Sequence, residues 1–215
     1  MYYLLLGLVM YSFLLSIVTK KNKILTEILG IIVLTFLTFM IGLRFEVGVD
    51  YSSYKYGFDM YYDRYGYEII YYLLRHIIKV LFDKFHYFTF IMILLSNIFI
   101  YLGLKKRKVK GIYIILALLI YSSNIAIIFM NIMRQGVSIA IFFYSSTFIK
   151  ERKFKKYIFY TLLGAGFHIS SLFLIPLYFF PNIKIGKTKY FMAICSAYFF
   201  VYIRLVNTLI NFIAY

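Results

Sequence analysis

Long apolar runs separated by short basic blocks pattern this chain from end to end. Seven runs approach the length that crosses a bilayer, about 20 apolar residues. They lie at roughly 2–18, 24–43, 86–104, 111–130, 135–149, 157–180 and 190–213. Helices are expected in all of them, because lipid offers no partner to an unpaired backbone N–H or C=O. The pattern predicts an all-α polytopic transmembrane helix bundle of about seven spans, with 1–215 a single integral membrane domain.

The basic blocks orient the spans. Loops 19–23, 105–110 and 150–156 carry three, five and five Lys or Arg residues, which assigns them to the cytoplasm. The N-terminus, the 44–85 segment and the 131–134 turn then face outward. Tyr2 to Val18 lacks a basic leader and a small-residue cleavage site, so it reads as a retained span. One loop resists this scheme: parity puts 181–189 outside, yet it carries Lys184, Lys187 and Lys189. Either three lysines are tolerated there, or 157–180 dips in and returns, broken at Gly164-Ala165-Gly166. Of the two, a full crossing is expected.

The outward segment from Arg44 to Asp83 has a different character. It holds six of the eight acidic residues and nine of the 24 tyrosines. Within it, 67–82 has helical period. Ile70, Leu73, Leu74, Ile77, Ile78 and Leu81 make one face; Glu68, Tyr72, Arg75, His76, Lys79 and Asp83 make the other. Central basic and imidazole groups make spanning costly, so an amphipathic helix lying in the outer interface is predicted.

Composition adds little beyond this. Hydrophobic residues are 63% of the 215, charged residues 15%, and the mean hydropathy is +0.84. No soluble domain of this length has a core to hide so much apolar surface. The net charge of +16 sits in topology-setting blocks, so no nucleic-acid partner is expected. Cys195, alone in an apolar run, can form no internal disulfide.

Three polar stretches stand where a membrane protein needs a reason for them. Gly42-Leu43-Arg44-Phe45 leads through Val47-Gly48-Val49-Asp50-Tyr51 to Tyr54 at the outer end of the second span. An interfacial anchor is the plainer reading of that stretch. Arg134-Gln135 opens a short span 16 residues before Lys150, about 24 Å at helical rise. That places Arg134 inside the outer edge of the hydrocarbon, facing a polar interior or snorkelling outward. His168, in Gly164-Ala165-Gly166-Phe167-His168-Ile169-Ser170-Ser171, is the one Asp, Glu, Lys, Arg or His between Lys156 and Lys184. It is either a hydrogen-bonded packing histidine or a base in a buried polar site. Asp59 and Asp63 are four apart, but without a second acidic pair they make a weak metal site. No P-loop, zinc spacing or nucleophile elbow occurs.

Taken in order, with Tyr67-Glu68 between the first stretch and the second, these residues resemble the EpsG family, Wzy-like polymerases of bacterial exopolysaccharide and capsule. The resemblance runs from about residue 40 to 175. It implies a membrane glycosyltransferase at the outer face of the bacterial cytoplasmic membrane that polymerises oligosaccharide repeat units. Its implied substrate is an undecaprenyl diphosphate-linked oligosaccharide, with the lipid bilayer and other exopolysaccharide-assembly proteins as partners.

Arg44 and Arg134 would stabilise the diphosphate leaving group by charge-assisted, bidentate hydrogen bonds, with no metal or cofactor required. His168 or Asp50 would be the base for the acceptor hydroxyl. Tyr51, Tyr54, Glu68 and Gln135 would contact substrate, the tyrosines by stacking on sugar rings. Family members usually have a longer C-terminal half, so the chain reads as a truncated, split or degraded member. Two rivals remain. A flippase for the same lipid-linked sugars would need paired repeats and a polar path across the bilayer. An inactive scaffold subunit of an exopolysaccharide complex would fit the short C-terminal half.

Overall fold

Beyond the lysines at 20–23, an apolar run free of proline forms α1 (Lys23–Gly42). A computed structural model describes the chain over 23–60, 68–110 and 112–180, plus the helical positions Gly7, Met10, Tyr11, Ile17, Cys195 and Phe199. The runs at 2–18 and 190–213 and the loop at 181–189 therefore fall outside the described residues. The chain divides into two compact units, Met1–Tyr178 and Phe179–Tyr215. The first unit holds the helices from Lys23 to Tyr178.

Every described element is helical. After α1 come α2 (Tyr51–Met60), α3 (Ile69–Phe82), α4 (Phe85–Lys106) and α5 (Ile112–Ile120). A π-helical turn (Tyr121–Ile125) joins α5 to α6 (Ala126–Asn131). Then follow α7 (Met133–Ser145), α8 (Thr147–Lys150), α9 (Phe154–Ala165) and a 3-10 helix (Ile169–Tyr178). By length and hydropathy, Ile24–Gly42 and Phe85–Lys106 can each cross a membrane. The expected span at 111–130 is α5–α6 with its π turn, and that at 135–149 is α7–α8.

α1 and α4 build one core with α5 to α7, burying Val33, Leu37, Ile41, Ile93 and Leu118. Polar groups inside it are paired. Asn97 Nδ2 donates to Thr38 Oγ1 at 2.8 Å, and the Tyr121 hydroxyl donates to Asn97 Oδ1 at 2.7 Å. Such pairs join helices where lipid supplies no alternative partner. A second core, made by Tyr51, Phe58, Tyr71, Phe88, Met133 and Phe167, packs α2 and α3 of the 44–85 segment against α4 and α7.

The amphipathic helix expected over 67–82 is present as Ile69–Phe82, but it is rotated from the simplest expectation. Tyr71, Arg75 and Ile78 are buried, while Ile69, Leu73, Ile77, Val80 and Leu81 are exposed. The seam between the two faces packs inward.

The continuous crossing expected over 157–180 is not found. Helix α9 stops at Ala165, turns at Gly166-Phe167, and the 3-10 helix runs back beside it. The Tyr157 hydroxyl donates to the Leu174 carbonyl at 2.5 Å, and the Phe154 and Tyr178 rings meet at 4.9 Å. The two legs form a hairpin. At about 1.5 and 2.0 Å per residue, legs of 12 and 10 residues reach roughly 18 and 20 Å, short of a hydrocarbon core of about 30 Å.

Candidate functional site

The hairpin tip sets the geometry. Its Gly166 carbonyl accepts the N–H groups of Ile70 and Tyr71, both at 3.0 Å. Those are two of the donors that the first turn of α3 leaves without intrahelical partners. The approach needs glycine, since a Cβ on Gly166 would come within 3.0 Å of Ile70 Cβ and closer still to the rest of that side chain. Glu68, one residue before α3, is thereby brought to His168, two residues past the tip.

Glu68 is the centre of the cluster. Its Oε2 takes a 2.5 Å ion pair from Arg134 Nη1, and its Oε1 lies 2.6 Å from His168 Nδ1. Only 5% of the Glu68 side chain is exposed, against 29% for Arg134 and 28% for His168. An ionised carboxylate can only accept, so Nδ1 is the donor in this contact, and in the neutral form of the ring Nε2 is the acceptor that remains. The Arg134 guanidinium lies over the Tyr71 ring at 5.3 Å and the Tyr54 ring at 6.0 Å. Burial raises the Tyr54 phenol above its ordinary value, with the Arg134 charge opposing and Asp50 reinforcing that shift. Beneath the cluster, the Ser138 and Ser171 hydroxyls share a hydrogen bond that ties α7 to the returning leg of the hairpin.

The other sequence candidates divide clearly. Arg44 is 4% exposed and spends its donors on the protein itself. Nε donates to the Val47 carbonyl at 2.9 Å, Nη1 to Ile41 at 3.2 Å, and Nη2 to Met130 at 2.8 Å, with the Met133 sulfur at 3.4 Å. Ile41 and Met130 lie in the last turns of α1 and α6, where unpaired carbonyls concentrate negative potential. Burial brings the Arg44 guanidinium down to about 10, so it stays charged at neutral pH.

The turn that follows is latched in the same way. Gly48 has φ +115, and Asn131 Oδ1 accepts the Val49 N–H at 2.9 Å. Tyr51 is buried edge-on to Phe85 at 5.2 Å. Asp50 immediately precedes α2 and its carbonyl accepts the Tyr54 N–H. Gln135 is exposed, a helical step of about 100° away from Arg134. Asp59 pairs with Lys55 at 3.3 Å, and Asp63 lies outside the described residues.

The cluster therefore unites Glu68, Arg134 and His168 with Tyr54, while Arg44 and Tyr51 are built into the framework. The sequence offered His168 or Asp50 as the base and gave Glu68 to substrate contact; Glu68 is the carboxylate that meets His168, and the Tyr67-Glu68 pair was the available signal. Tyr71 was missed because it reads as one more aromatic on an amphipathic helix. No group of three or more His, Cys, Asp or Glu side chains able to hold a metal occurs among the described residues.

Comparison with known proteins gives one finding. The family model described as EpsG family matches residues 27–215. No curated protein and no solved structure matches the chain.

Proposed function

The chain belongs to the EpsG family, and from that premise we propose that it polymerises lipid-linked oligosaccharide repeat units, with Glu68, Arg134 and His168 as the reaction centre. The observation that carries this reading is a carboxylate sealed from solvent that holds both an imidazole and a guanidinium at its accessible edge. The carboxylate fixes the His168 tautomer and turns the ring, as a general base requires. Nε2 takes the proton of the acceptor hydroxyl while the hydroxyl oxygen bonds to the anomeric carbon of the donor sugar. The bond from that carbon to the diphosphate oxygen breaks, and the carrier lipid leaves as its diphosphate. Arg134 has donors beyond the one given to Glu68, and these suit the charge that develops on the departing phosphate. Tyr54 and Tyr71 flank the guanidinium and limit how it can turn. In this assignment Glu68 is a positioning residue and Arg44 an anchor of the outer segment, while Asp50 stands outside the cluster. The undecaprenyl carrier and the outward placement of the site belong to the same proposal.

The test is polymer formation by membranes carrying Arg134 variants. Arg134→Ala should abolish polymer with protein still in the membrane, and Arg134→Lys should recover only part, because a point charge replaces a planar fork. Full activity in the Lys variant would remove the bidentate role.

A further inference from the structure

At the lysine-rich end of the same unit, α4, α7, α8 and α9 enclose an open cleft of about 380 Å³. Three lysines converge there: Lys106 from the last turn of α4, and Lys155 and Lys156 from the first turn of α9. The opposite wall is aromatic. Tyr160 stacks on Phe148 with centroids 5.5 Å apart and planes at 9°, and Tyr144 meets Tyr160 edge-on at 5.0 Å. Lys106 Nζ sits 4.5 Å from the Phe148 ring centre.

The local charge is left uncompensated. Glu151 is shared between Lys106 and Lys153, both at 2.8 Å. Hydrogen bonds from Lys106 and Lys153 hold its carboxyl down to about 2, so it stays ionised at neutral pH and offsets one of those two positive charges. Among the described residues, neither Lys155 nor Lys156 forms an ion pair, and both are exposed. Further along α9, Phe159 and Leu162 are 62% and 52% exposed and continue the aromatic wall as an apolar track.

We infer that this cleft binds the phosphate of an anionic phospholipid, with the acyl chains leaving along Phe159 and Leu162. Paired lysines beside an aromatic wall suit a headgroup phosphate joined to hydrocarbon. A soluble phosphate would leave the rings and the apolar track without a partner. The inference rests on membership of a membrane protein family and on the cleft itself; it does not depend on the reaction assigned to Glu68, Arg134 and His168.

Full-length protein purified in detergent would be mixed with phosphatidylglycerol or phosphatidylcholine, and retained lipid counted by native mass spectrometry. Phosphatidylglycerol should be retained in preference, and Lys155→Gln/Lys156→Gln should lower its retention about fivefold or more. A control pair with the same charge change outside the cleft, Lys108→Gln/Lys110→Gln, should alter retention less than about twofold. Equal losses in both pairs, or equal retention of the two lipids, would overturn the site. Millimolar glycerol 3-phosphate at constant ionic strength should fail to displace the lipid; full displacement would reassign the cleft to a soluble phosphate. If the double variant is not monodisperse, Lys155→Gln alone carries the same prediction in the same direction.

Discussion

Glu68 sits between two donors and almost out of reach of solvent, so changing it acts through Arg134 and His168. Glu68→Gln keeps size but weakens both contacts, and it should lower kcat by about 100-fold or more with donor KM nearly unchanged. Steady-state kinetics on membranes decide this; a raised KM at constant kcat would return Glu68 to direct substrate contact. Arg44 predicts a different signature. Its guanidinium ties together two helix ends and the 45–49 turn, so Arg44→Ala, which strands buried carbonyls, should cost about 1.5–3 kcal/mol and appear as loss of folded protein. Normal accumulation of an inactive Arg44→Ala protein would instead place that guanidinium in the chemistry. At this scale the sequence disclosed which residue types mattered but not their partners. The contacts Glu68–Arg134 and Glu68–His168 span 66 and 100 residues. Local spacing could not choose Glu68 over Asp50, which stands closer to the first arginine in the chain.

Helix α3 and the hairpin at 154–178 position the cluster together. Gly166 admits Ile70, so Gly166→Ala should destabilise by about 1–3 kcal/mol through overpacking. Ile70→Ala in the same molecule should recover most of that, giving a coupling above about 1 kcal/mol in a double-mutant cycle. Additive effects would mean that the two residues do not press on each other. The amphipathic helix was legible to within two residues of its start, because helical period depends on neighbours three and four apart. Which face turned inward was not legible, since the pairing of Glu68 with residues on α7 and the hairpin decided it. The hairpin itself was visible only as an alternative, in Gly164-Ala165-Gly166 and in three lysines on the wrong side. If 157–180 dips in and returns, as in the alternative reading, the three lysines of the 181–189 loop share a side with Lys155, and that is the outcome expected. With Cys195→Ser as background, single cysteines at Lys184 and Lys155 should label from one side with an impermeant maleimide, and one at Ser52 from the other. Labelling of Lys184→Cys together with Ser52→Cys would restore the full crossing.

For the whole molecule, the alternation of apolar runs and basic blocks was enough to read a helical membrane protein, and the polar stretches carried the resemblance to the family now matched over residues 27–215. The division of labour between its polar residues emerged only once distant segments met. Part of the recognisable pattern, Arg44 through Val49, braces the start of the 44–85 segment, and part, Glu68 with Arg134 and His168, is available for chemistry. The second part is the central claim, and His168→Gln tests it most directly. The Gln side chain keeps hydrogen-bonding capacity and approximate size but accepts no proton. With the full-length protein in nanodiscs and lipid-linked repeat units extracted from cells that cannot polymerise them, donor affinity and single-turnover rate can be measured separately. The rate should fall by about 100-fold or more with donor affinity essentially unchanged; a near-normal rate at normal protein level would rule out His168 as the base.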